Sequence, residues 1–79
     1  MVYPNPAENL LNISFKVEEN QSLEVRLISA TGTVVYSEDA KDFAGYYVNT
    51  IDLSNLAKGI YFLSLTNDNG TVNKKVVIK

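Results

Sequence analysis

Leu56-Ala57-Lys58-Gly59-Ile60-Tyr61-Phe62-Leu63-Ser64-Leu65-Thr66 is the densest apolar stretch of this 79-residue chain, and its reading decides the fold class. Ile60 to Leu65 is almost wholly β-branched, aromatic or aliphatic. It is too short to cross a membrane as a helix and is bounded by turn residues, which predicts a central β-strand. Gly59 supplies backbone freedom just before it. Tyr61, Leu63 and Leu65 share one parity and form the expected inward series, and the opposite parity should be covered in part.

Toward the C-terminus, Asp68-Asn69-Gly70 is the strongest hairpin signal in the chain, because Asn-Gly accepts positive φ at both central turn positions. The strand Thr71 to Ile78 should therefore return antiparallel to the central one. Its parity is ambiguous: Val72, Val76 and Ile78 lie with Lys74, while Asn73, Lys75, Val77 and Lys79 take the other side, as at an edge protected by lysines. Toward the N-terminus, Asp52-Leu53-Ser54-Asn55-Leu56 reads as a capped single turn with Leu53 and Leu56 inward. Tyr46 to Leu53 reads as a strand with Tyr47, Ile51 and Leu53 on one face. Asn49 falls on that same face, which signals either a bulge or a different register.

Ser37 to Gly45 reads as a charged loop whose Phe43 folds back onto the core. Residues 23 to 36 form a hairpin turned at Thr31-Gly32, where Gly32 takes the positive φ. Glu18 to Ser22 reads as a polar reversal. Leu11, Ile13, Phe15 and Val17 alternate with polar residues in the first full strand. Tyr3-Pro4-Asn5-Pro6 is a rigid extended opening, and Ala7-Glu8-Asn9 a turn with little to pack. Short strands at regular spacing with no helical periodicity predict an all-β domain. The expected form is a small antiparallel β-sandwich, immunoglobulin/fibronectin-like, of about six to seven short strands. A chain of this length makes one domain, spanning 1–79, with a thin core.

The formal net charge of -2, with no strongly basic segment, predicts neither nucleic-acid binding nor membrane insertion. The chain has no Cys, His or Trp, so thiol chemistry, histidine-based acid/base catalysis and the usual zinc sets are excluded. Ser22, Ser54 and Ser64 have no partner that would activate them. Glu18/Glu19 and Glu38/Asp39/Asp42 lack the spacing of a calcium loop and read as solvated loops, a weak calcium site being the alternative. No catalytic residue, cofactor or metal is expected. Tyr46 and Tyr47 are adjacent and point to opposite faces, so they form one flat platform for a sugar only if the strand bulges. No leader is visible after Met1; if the domain is exported, its export signal lies upstream in a longer parent.

The order of landmarks along the chain closely resembles the C-terminal sorting domain, type A, of the type IX (Por) secretion system of Bacteroidetes. The matching residues are Tyr3-Pro4-Asn5-Pro6; Leu11-Asn12-Ile13; Val25 to Tyr36, with Gly32 in its turn; Ile51 to Phe62, with the Gly59/Tyr61 pair; and the terminal Lys74-Lys75-Val76-Val77-Ile78-Lys79. The resemblance implies a non-catalytic address excised from a larger secreted protein. It implies recognition of the domain in the periplasm by the outer-membrane translocon, removal by a surface sortase, and release or surface attachment of the upstream cargo. By position it assigns Lys74, Lys75, Val76, Val77, Ile78 and Lys79 to partner recognition. Tyr3, Pro4, Asn5, Pro6, Gly32, Gly59 and Tyr61 become structural motif residues. An apolar and basic terminal strand with one side unpaired would also suit addition to a receptor sheet. The alternative reading is a fibronectin-like adhesion or carbohydrate-binding accessory module of a surface enzyme.

Overall fold

A computed structural model describes residues 2–4 and 7–79. Its regular elements are all strands: β1 (Val2–Tyr3), β2 (Leu10–Ser29), β3 (Val34–Asp52), β4 (Gly59–Asn67) and β5 (Gly70–Ile78). The pairs β1/β2, β2/β3, β2/β4 and β4/β5 are antiparallel. The all-β antiparallel class holds, in the form of one curled sheet that suits an immunoglobulin-like sandwich.

Five strands replace the six to seven expected, because two of them are long enough to serve both layers. β2 runs for 20 residues and β3 for 19. Glu18 to Ser22 is therefore not a reversal, and Ser37 to Gly45 is not a loop. The β2/β3 ribbon continues through both segments, and its register shifts between Val17 and Gln21 and again between Gln21 and Leu23. Asp42 and Gly45 take φ values of +53° and +106° at this point. Extra residues on one strand bend a ribbon and raise its twist, and bends of this kind form the corners of sandwiches. Polarity without a Gly-Asn turn pair marked a bulged corner here, where sequence reading expected a chain reversal.

The bend explains the topology. The first half of β2 has β1 on the side away from β3, and its second half has β4 there, followed by β5. The inward series is the one the alternation predicts. Leu11, Ile13, Val17, Leu23, Val25 and Leu27 of β2 are buried with Tyr47, Ile51, Leu53, Tyr61, Leu63, Val76 and Ile78. Phe15, Phe43, Leu56 and Leu65 pack around them. Tyr47 stacks on Phe15 at 5.1 Å between ring centroids and meets Phe43 edge-on at 5.6 Å, so Phe43 does fold back onto the core.

Asn49 lies in register opposite Ile13, with no bulge at that point. It is tolerated on the inward parity because its amide is fully used. Asn49 Nδ2 donates to Glu38 Oε2 at 2.7 Å and to Tyr36 Oη at 2.8 Å, with Tyr47 Oη at 3.3 Å, and its Oδ1 accepts from the backbone N–H of Thr50. Tyr36 Oη in turn donates to Glu38 Oε2 at 2.7 Å. These partners lie 11 and 13 residues away on the same strand, so the network ties the two halves of β3 together across the corner.

The turns agree with the sequence in position and differ in one detail. Gly32 closes the β2/β3 hairpin at φ +91°, with Ser29 Oγ accepting from the Thr33 N–H. Asp52 Oδ1 accepts from the Ser54 N–H at 2.9 Å; that backbone bond holds the Asp52 carboxyl below its usual range. In the β4/β5 hairpin Asn67 pairs with Gly70, so Asp68 and Asn69 are the central residues and Gly70 alone takes positive φ, at +136°. The expected Asn69-Gly70 centre is one residue late. The Asn69 N–H is instead held by Asn67 Oδ1 at 2.8 Å.

Gly59 begins β4 at φ +148°. A Cβ there would touch nothing within 4 Å, so the cost of a side chain is conformational and not steric. Gly59→Ala is expected to lose about 1–3 kcal/mol, visible as an earlier urea midpoint with an unchanged slope.

Candidate functional site

The residues assigned to recognition lie on the second half of β5. Val76 and Ile78 are buried, at 0% and 3% exposure, whereas Lys74, Lys75 and Lys79 are exposed and Val77 half-buried. The parity ambiguity of this strand resolves along its length. Val72 shares the inward parity yet is 65% exposed, because the hairpin tip extends past the core.

β5 ends the order of hydrogen-bonded strands, but its last residues are not an open edge. Ala7 pairs with Ile78 in a parallel bridge. The Ala7 N–H donates to Val77 O at 2.7 Å, and the Lys79 N–H donates to Ala7 O at 2.8 Å. Ala7 is fully buried. The expectation that residues 7–9 have little to pack, and that the end of the terminal strand lies unpaired, is corrected on both counts. A methyl group is small enough to let the opening segment lie against β5, and a one-residue bridge carries no periodicity for a sequence to display. The Leu53 N–H donates to Asn9 O at 2.8 Å, which fastens the same segment to the β3–β4 connection.

Gly59 and Tyr61 cooperate at the start of β4. Tyr61 is buried, and its hydroxyl donates to Ala57 O at 2.6 Å. A phenol that reaches back to a carbonyl four residues upstream fixes the path of the connection into the strand, as a tyrosine corner does. Both residues thus lie at the entry into the β4/β5 hairpin. Tyr3 is about half exposed and pairs with Asn12. Pro4 is exposed, and Asn5 and Pro6 lie outside the described residues.

The remaining candidates separate. Glu38 belongs to the Asn49 network, and Asp39 pairs with Arg26 at 3.1 Å. Among the described residues no three carboxylates gather as a metal site. Tyr46 is 74% exposed while Tyr47 is buried, as opposite faces require. Lys16 lies 6.0 Å from the Tyr46 ring centroid.

Charge is distributed unevenly. Residues 53–79 carry Lys58, Lys74, Lys75 and Lys79 against the single acid Asp68, while residues 1–52 carry eight acids against three bases. A net charge of -2 conceals a basic terminal hairpin on an acidic body. The signal was available in the sequence and is lost when charge is summed over the whole chain.

Fold and surface together define a β-sandwich module whose distinctive feature is this basic terminal hairpin. The chain belongs to the secretion system C-terminal sorting domain family, whose model matches residues 1–79. Among similar proteins is Beta-agarase D of Zobellia galactanivorans, 40% identical over 78 residues, which are 98% of this chain and 14% of that protein. The chain thus spans about one seventh of the length of the curated relative it matches. The family gives the domain its role as a sorting signal of the type IX route, directing export to the cell surface or the extracellular space.

Proposed function

We propose that residues 1–79 are the non-catalytic address of a larger exported protein, carried at its C-terminal end and read in the periplasm by the outer-membrane translocon. A surface sortase then removes the domain, and the cargo is released or attached to the cell surface. The observation that carries this reading is the family match over the full domain. The small share of Beta-agarase D that the chain covers fits a module appended to a much larger cargo, and that relative's name suggests an enzyme as the cargo here. The exposed lysines of the terminal hairpin are the recognition elements that this reading assigns.

Deleting Val76 to Lys79 is a poor test, because it removes two core side chains and the bridge to Ala7 along with the lysines. Lys74→Gln with Lys79→Gln leaves the backbone and core intact and should change stability by no more than about 0.5 kcal/mol. In a reporter that bears an export signal upstream and this domain downstream, the pair is expected to reduce secretion in a host with the type IX translocon. The unaltered domain should be secreted in that host and retained in one lacking the translocon. Undiminished secretion of the double variant would remove the lysines from the recognition role.

A further inference from the structure

The outward face of the second layer is divided into two zones by its cross-strand rows. At the tip end, Glu24 lies between Asp39 and Thr66, and Arg26 between Ser37 and Ser64; these rows are polar. At the other end, Ile28 lies between Val34 and Phe62, and Ile60 pairs with Val77 in the adjoining row. Val34, Ile60 and Phe62 are 49%, 44% and 40% exposed. They stand on the face opposite the core series Leu27, Tyr61 and Leu63, and about half of each side chain stays open to solvent in the folded domain.

The lysines collect at the same end. Gly59 pairs with Ile78, which sets Lys58 and Lys79 next to one register pair. A shallow groove there is lined by Lys58, Ile60 and the Ala30-Thr31 turn. A cluster of partly exposed apolar side chains flanked by cations fits a partner surface with an apolar centre and an acidic rim: the charges steer the encounter and the apolar anchors hold it. Adding a strand to the end of β5 would require displacing Ala7 from Val77 and Lys79, whereas docking on the face leaves the fold as it is.

We propose that this outer face, centred on Ile60 and Phe62 and flanked by Lys58 and Lys79, docks the domain on an acidic, partly apolar protein surface of its export machinery. The inference rests on the sorting role proposed above and names the surface through which it acts. An anionic lipid surface would also attract the lysines. Side chains spread over a sheet face lack the deep apolar stripe with which interfacial helices insert, which favours a protein partner.

The test compares reporter secretion for four forms of the domain: unaltered, Ile60→Thr with Phe62→Ser, Lys58→Glu, and the control Val48→Thr with Tyr46→Ser. The control removes apolar groups that are 73% and 74% exposed on the other layer. The Ile60/Phe62 pair is expected to lower secretion about tenfold or more, as loss of an apolar anchor does. Lys58→Glu should lower it by a smaller factor, and the control should secrete normally. Melting curves of the purified domains establish that each form is folded; should the Ile60/Phe62 pair be unfolded, Lys58→Glu in the exposed connection decides the matter. Normal secretion of a folded face variant, alongside translocon-dependent secretion of the unaltered domain, overturns the face and leaves the sorting role standing. Secretion of the unaltered domain independent of the translocon overturns both. Face-dependent dimerisation in sedimentation, or face-dependent flotation with vesicles of phosphatidylcholine and phosphatidylglycerol, would assign the patch to a second copy or to lipid and overturn the protein partner.

Discussion

Leu63→Ala is expected to lower the melting temperature of the isolated domain by about 10–30 °C. Leu63 is fully buried, pairs across the sheet with the equally buried Leu27, and lies between β2 and the terminal strand. Removing a buried Leu side chain costs about 2–5 kcal/mol, comprising lost transfer energy and a cavity that the surroundings close only in part. A chain of this length has a total stability of about 4–12 kcal/mol, so the variant should stand near the threshold of folding. Differential scanning calorimetry measures the shift. Val72→Ala serves as its comparison: Val72 pairs with Leu65 on the same parity, yet its exposure predicts a change within about 0.5 kcal/mol. Equal effects at the two positions would mean that the hairpin tip is covered in solution.

The second large effect concerns Tyr47, which takes part in two kinds of interaction at once. Its ring stacks on Phe15 and meets Phe43 edge-on, and its hydroxyl lies at 3.3 Å from the Asn49 amide. Tyr47→Ala should cost about 3–5 kcal/mol through the lost ring, whereas Tyr47→Phe should cost only about 1 kcal/mol through the lost hydrogen bond. The hydroxyl also gives the domain a signature in base. Burial pushes the Tyr47 phenol up to about 12, and burial together with the Glu38 carboxylate raises Tyr36 as well.

A phenol that ionises at about pH 10 in the unfolded chain and higher in the folded one contributes stability that is fully present below about pH 10. For Tyr47 that contribution is lost as pH rises toward about 12. Urea unfolding in steps across that range should show stability falling with pH, and Tyr47→Phe should fall less steeply than the unaltered domain. A slope unaffected by Tyr47→Phe would place the alkaline loss elsewhere.

Much of the architecture was legible because the pleat imposes a period of two. Leu11/Ile13/Val17, Leu23/Val25/Leu27 and Tyr61/Leu63 alternate cleanly, and all of them are buried. The turn at Gly32 and the hairpin after Asn67 carried their own backbone chemistry, so position and partner were readable together. The family was legible for another reason: its landmarks are spread in order from Tyr3 to Lys79, and the joint match is far more specific than any one fragment.

Local pattern failed where the deciding partner lay far away in sequence or on the other side of a bend. Glu18 to Ser22 and Ser37 to Gly45 look like loops one at a time. Only the Gln21–Phe43 pair, between shifted registers, joins them, while Ser37 to Ala40 pairs with Leu23 to Arg26, and together these contacts make one bulged corner. Asn49 looked misplaced because its satisfaction comes from Tyr36 and Glu38, brought back to it by that same corner.

By itself the sequence determined the alternating strand segments and their inward faces, the absence of thiol and imidazole chemistry, and membership of a sorting-domain family. The tertiary structure decided how those segments join, that Ala7 seals the end of the terminal strand, and that Ile60 and Phe62 face outward beside the lysines. The reason is physical. Parity along a strand is a local property of the backbone, whereas the occupant of an edge and the neighbours across a face depend on contacts between residues as distant as Ala7 and Ile78.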